Sequence, residues 1–172
     1  SITTRPLQYM STPIQKDRRW FILGRESLIA AAEIDAVLSF QDAQYSGQIL
    51  KIKADFEPKS LIKRLGGTIK IAKEMADSIA EAELKTLIIE DLKTVEGKIN
   101  FGLSVYSQAN IDLREIKKLG LEIKKELKNE GCSIRYVENK EATLSSVAVE
   151  KNGLTNRGRE FLIEKRRVSM DG

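Results

Sequence analysis

Apolar positions in this chain recur at two spacings, either every second residue or every third and fourth, and the switches between them mark out the expected strands and helices. Trp20 to Gly24 is a short aromatic and aliphatic run suited to a buried strand. After Arg25 and Glu26, the positions Leu28, Ala31, Ile34 and Leu38 take up helical spacing, with Ser27 placed as a cap and Glu33 and Asp35 toward water. Gln48 to Asp55 alternates, with Leu50, Ile52 and Ala54 on one face and Lys51 and Lys53 on the other. That alternation predicts a half-covered strand, and Tyr45 through Gly47 offers a hairpin leading into it. Glu57, Pro58 and Lys59 open a short helix carrying Leu61, Ile62 and Leu65, which Gly66 and Gly67 can end through their tolerance of positive φ. Thr68 to Ala72 resumes a strand in which Ile69 and Ile71 share a face. This order predicts a ferredoxin-like lobe over 18–76, with helices on one side of a mainly antiparallel sheet.

The remainder reads as a second α/β lobe over 77–168. Helical spacing returns from Ile79 to Lys93 through Ala80, Leu84, Leu87, Ile88 and Leu92, and Gly97 closes the turn that follows. Ile99, Phe101, Leu103 and Val105 then form one face of a strand, with Asn100, Gly102, Ser104 and Tyr106 on the other. Small residues on that second face admit a close approach, either by a packed helix, the weightier reading, or by a partner's backbone. Asp112 and Glu115 make a capping box for a helix whose packing face is Leu113, Ile116, Gly120, Ile123 and Leu127, stopped by Gly131. Ser133 to Val137 and Ser145 to Glu150 are expected strands joined by a charged connection, Glu138 to Thr143. Asn152 and Gly153 make a turn, and Glu160 to Lys165 is the last strand. At least two helices and four strands are therefore expected in this lobe. Residues 1–17 are expected to be a loose arm and 169–172 a tail. The fold class is α+β.

Composition changes this picture mainly by narrowing the chemistry. The 172 residues are 41% hydrophobic, enough for a real core, and carry 29 Lys and Arg against 25 Asp and Glu, a formal charge of +4. With one cysteine, Cys132, and no histidine, the chain supplies neither a disulfide framework nor the usual zinc ligand sets, and it lacks the commonest acid–base side chain near neutral pH. Cys132, Ser145 and Ser146 have no histidine to activate them, and a partly buried structural thiol accounts for Cys132. Gly66-Gly67-Thr68-Ile69-Lys70 leaves a helix and enters a strand, the reverse of a phosphate loop. Gly24-Arg25-Glu26-Ser27 has the right context for an anion at a helix start, but it has a single glycine and an opposing Glu26, so ordinary capping is the better reading. No apolar run reaches the length of a membrane span, no secretory signal is visible, and a cytoplasmic location is expected.

Charge is concentrated toward the end of the chain. Lys151, Arg157, Arg159, Lys165, Arg166 and Arg167 are opposed only by Glu160 and Glu164 between 151 and 167. Such a patch matches a phosphate backbone without reading bases. Arg135 and Lys140 extend it across neighbouring strands, and Lys124 and Lys125 border it; alternatively, the charges only solubilise a small lobe. Tyr106 and Tyr136 can stack on unpaired bases where exposed, although core packing suits Tyr136 better.

Four segments resemble the N-terminal half of THUMP-containing RNA methyltransferases, especially the archaeal tRNA guanosine-10 methyltransferase group and its eukaryotic counterparts. They are Trp20-Phe21-Ile22-Leu23-Gly24-Arg25-Glu26, Leu65-Gly66-Gly67-Thr68-Ile69-Lys70-Ile71-Ala72, Phe101-Gly102-Leu103-Ser104-Val105-Tyr106 and Leu144-Ser145-Ser146-Val147-Ala148-Val149-Glu150-Lys151-Asn152. The resemblance implies a ferredoxin-like lobe followed by a THUMP domain that grips tRNA, often near the acceptor end. It further implies a Rossmann-like methyltransferase domain, in cis or in trans, that binds S-adenosylmethionine and carries Asn or Asp before Pro-Pro and an aromatic residue. Pro6, Pro13 and Pro58 are never adjacent, so that catalytic signature is not in these residues and no cofactor is expected on this chain itself. An RNA-facing role carries over to Lys140, Lys151, Arg157 and Arg159. The expected function is a noncatalytic tRNA-positioning module; the alternatives are the front part of a DNA-modification methyltransferase and an interaction scaffold, with a homodimer among its forms.

Overall fold

The computed structural model describes residues 18–38, 41–53, 58–155 and 157–165. The expected arm 1–17, the tail 169–172, Ala54, Glu57, Arg166 and Arg167 lie outside them. The chain divides into two compact units between Glu74 and Met75.

The first unit runs β1 (Arg18–Leu23), α1 (Ser27–Val37), β2 (Gln41–Ser46), β3 (Ile49–Lys53), α2 (Pro58–Arg64) and β4 (Thr68–Lys73). Its sheet has the order β2-β3-β1-β4 with every neighbour antiparallel, the ferredoxin-like arrangement in which each helix carries the chain across to an edge strand. Gly47 turns the β2–β3 hairpin with φ 58°. Phe21, Leu23, Leu50, Ile52 and Ile71 meet Ala30 and Ile34 of α1 and Leu61 and Leu65 at the end of α2 in one core.

Several local expectations are corrected in this unit. Lys51 is 1% exposed, its Nζ 4.2 Å above the Trp20 ring, so its face is not a water face; Lys53 is exposed. Trp20, Ile22, Ile49 and Ala72 are buried as well, which makes the sheet apolar on both sides. Glu26, not Ser27, occupies the cap of α1 and makes no side-chain cap bond. Leu28, read as a packing position, is 81% exposed, and α1 packs instead through Ala30 and Ile34. Glu33 accepts the Gly67 amide at 3.2 Å and so ties α1 to the α2–β4 turn. Neither Gly66 nor Gly67 takes a positive φ. Gly67 is required for a different reason, because a Cβ there would lie 2.6 Å from that of Ala30.

In the second unit α3 (Glu81–Leu92), β5 (Ile99–Ser107), α4 (Leu113–Asn129), β6 (Ile134–Tyr136), α5 (Ser146–Lys151) and β7 (Arg159–Lys165) alternate strictly. The sheet order is β6-β5-β7, and both ladders are parallel. Parallel neighbours need crossover connections, which α4 and the segment containing α5 provide. Asp112 caps α4 by accepting the Arg114 amide at 2.9 Å, and the Arg114 side chain and amide hold its carboxyl below the usual carboxylate range. Glu115 does not close the box; it pairs with Lys165 at 3.4 Å.

In place of the strand expected over Ser145 to Glu150 there is the helix Ser146–Lys151, so the described residues of this unit hold three helices and three strands. Val147 and Val149 mimic a two-residue alternation, but Ser145 Oγ accepts the Ala148 amide at 3.1 Å and starts a helical turn. That turn buries Val149 and leaves Val147 73% exposed. Local capping outweighs the weak strand preference of two β-branched side chains where no partner strand stands beside them.

Candidate nucleic-acid interface

The geometry of the candidate cations follows from which face of β5 each one neighbours. Ile99, Phe101, Leu103 and Val105 point to the side covered by α3 and α4, where they join Leu84, Ile88, Leu92, Ile116, Ile123 and Leu127 in the main core. Asn100, Gly102, Ser104 and Tyr106 point to the opposite side, which the segment through α5 covers. A Cβ on Gly102 would lie 2.3 Å from Leu144 Cδ1 and 3.1 Å from Leu154 Cδ1. The close approach admitted by these small residues is therefore taken up by the chain's own packing. Ser104 Oγ donates to Glu160 at 2.6 Å and accepts the Leu144 amide at 2.9 Å, which pins the β6–α5 connection to the sheet.

Three of the expected cations belong to stretches of chain that adjoin Asn100, at the beginning of β5. Arg135 stands across from Asn100 on β6 and is exposed. Asn100 Nδ2 points to the Asn152 carbonyl at 3.5 Å, next to Lys151, the exposed last residue of α5. Gly158 sits so close to the Asn100 carbonyl that a Cβ would come within 2.6 Å of it, and exposed Arg157 precedes Gly158. Lys98, also exposed, lies two residues before Asn100 and was not among the expected contacts. Glu96, Glu138 and Glu150 are the exposed carboxylates nearest to these cations along the chain, and Glu138 pairs with Lys117.

The remaining candidates separate from this group. Lys140 is exposed but lies farther along β5, beside Asn139, whose Nδ2 donates to the Leu103 carbonyl at 2.7 Å. At a rise of about 3.3 Å per residue, that level is roughly 10 Å from Asn100. Lys165 sits across from Ser107 at the far end of the strand, paired with Glu115. Arg159 faces Phe101 on the α3 side, its Nε 3.7 Å from Asp91 and both side chains 8% exposed. An arginine so enclosed is not presented to a phosphate chain. Arg166 and Arg167 lie outside the described residues.

The tyrosines and the cysteine fall into structural places. Tyr136 is 7% exposed, donates its hydroxyl to Asn139 at 2.5 Å and packs tilted on Phe101 with ring centres 5.3 Å apart. Burial pushes its phenol up to about 12. Tyr106 is partly buried, and burial together with the Glu160 carboxylate raises its phenol far above the ordinary value. Cys132 is partly buried against the main core. Among the described residues no three His, Cys, Asp or Glu side chains gather as a metal site, and no helix is long and apolar enough to cross a membrane.

Asn100, the residue on which the cluster turns, was visible in the sequence only as one polar position on the small face of β5. The signal for its role is the pairing of β5 with both β6 and β7, which periodicity does not contain. Compared with protein-family models, curated proteins and solved structures, the chain gives no match.

Proposed function

We propose that this chain is a noncatalytic module that holds tRNA or another structured RNA, working in the cytoplasm for a methyltransferase domain in cis or in trans. S-adenosylmethionine belongs to that other domain in this reading, and no residue here is assigned to it. The single observation that carries the proposal is that three separate stretches of chain, bearing exposed Arg135, Lys151 and Arg157, adjoin Asn100. Exposed cations on adjoining stretches of chain offer a phosphate backbone several charges at once, without reading bases. The ferredoxin-like topology of the first unit agrees with what the THUMP resemblance implies. Lys98 joins the proposed contact set; Arg159 and Lys165 leave it because each is engaged by a carboxylate.

The test is tRNA binding by the full chain across a salt series. Four phosphate contacts give a slope of log affinity against log salt of about −3 to −4, and Arg135→Ala lowers its magnitude by about one. Lack of tRNA binding at low salt, or an Arg135→Ala variant with an unchanged slope, refutes the proposal.

A further inference from the structure

Asn100 stands out within the cationic group because its amide is poorly used. The Oδ1 atom is buried and has no hydrogen-bond partner among the described residues, and the Nδ2 contact to the Asn152 carbonyl, at 3.5 Å, is at the limit of a hydrogen bond. Leaving a buried acceptor unmet is costly. The residue as a whole is partly exposed, so turning the amide outward breaks only one stretched contact.

A ligand that satisfies Asn100 must bring a donor hydroxyl or N–H to the amide oxygen while placing negative charge beside Arg135, Lys151 and Arg157. A ribonucleotide does both, because its 2′-hydroxyl is a donor only a few bonds from the backbone phosphate; a deoxyribonucleotide has the phosphate and lacks the donor. We infer that Asn100 is the position at which this surface distinguishes RNA from DNA, its amide oxygen accepting a ribose 2′-hydroxyl while the surrounding cations hold the adjoining phosphates. The inference rests on the nucleic-acid reading above and specifies the ligand of that same site.

The experiment compares an RNA hairpin, the same RNA with 2′-O-methyl groups throughout, and the DNA hairpin of matching sequence. Each is titrated with the full chain, and with its Asn100→Ala, Asn100→Thr and Arg135→Ala variants, after thermal melting has shown that each variant folds. Wild type is expected to bind the unmodified RNA about fivefold or more tighter than either other ligand, the effect of one well-placed hydrogen bond. Both Asn100 variants should remove that preference while keeping the DNA affinity, and Arg135→Ala should weaken all three ligands alike. A wild type with no preference, a preference that survives in both Asn100 variants, or equal weakening of every ligand by Asn100→Ala overturns the inference and leaves phosphate binding standing. A wild type that binds none of the three overturns the nucleic-acid reading itself, and this inference with it.

Discussion

The two faces of β5 lie one residue apart along the chain and treat arginine in opposite ways. On the α3 and α4 side, Arg159 beside Phe101 is enclosed with Asp91, surrounded by large aliphatic and aromatic side chains. On the other side, Arg135 beside Asn100 stays exposed at the rim of a face built from glycine, serine and asparagine. The difference teaches that a count of cations in a stretch of sequence does not measure a binding surface. Arg159, deep on the apolar face, is drawn into a buried ion pair, while Arg135, at the rim of the polar face, stays exposed.

The largest expected effect comes from breaking the enclosed pair. Asp91→Ala leaves the Arg159 charge without this carboxylate and should cost about 3–5 kcal/mol in urea unfolding. The equivalent truncation of exposed Glu115, opposite Lys165, should stay within about 1 kcal/mol. Equal costs for the two would erase the contrast between buried and exposed cations.

A smaller loss is expected on the opposite face. Gly102→Val forces a side chain into the place of Leu144 and Leu154 and should cost about 1–3 kcal/mol, read as a lowered Tm. An unchanged Tm would mean that this face is looser than the close contacts imply. The smallest effect is a pH dependence. Tyr136 has a folded value of about 12, above the roughly 10 of an unfolded tyrosine, so the unfolded chain releases its proton first. Stability from this group is complete below pH ~10 and declines as pH rises toward the folded value. Tyr106, raised in the same direction, adds to the decline. Urea melts across that window should show it, and Tyr136→Phe should flatten part of the slope.

Much of the fold was legible because the signals were local. The alternation in Ile99 to Val105, the Asp112 cap, the Gly131 stop and the strand–helix–hairpin–helix–strand order of the first unit each depend on neighbours within a few residues. Where local signals competed, the reading failed. Val147 and Val149 alternate like a strand, but the Ser145 cap prevailed. Lys51 alternates like a solvent-facing residue, yet the ring of Trp20, its partner across the β1–β3 ladder, holds its ammonium in the interior.

The candidate interface was legible only in part, as residue types and not as an arrangement. The sequence by itself determined the periodicities, the caps, the exclusion of histidine chemistry, and which residues are cationic. Tertiary structure alone decided that the stretches bearing Arg135, Lys151 and Arg157 adjoin Asn100, that Arg159 turns inward to Asp91, and that Lys165 lies across from Ser107 at the far end of the sheet, beside Glu115. The reason is that strand pairing is long-range: the register of β6 and β7 against β5 fixes which side chains become neighbours, and no local spacing encodes it.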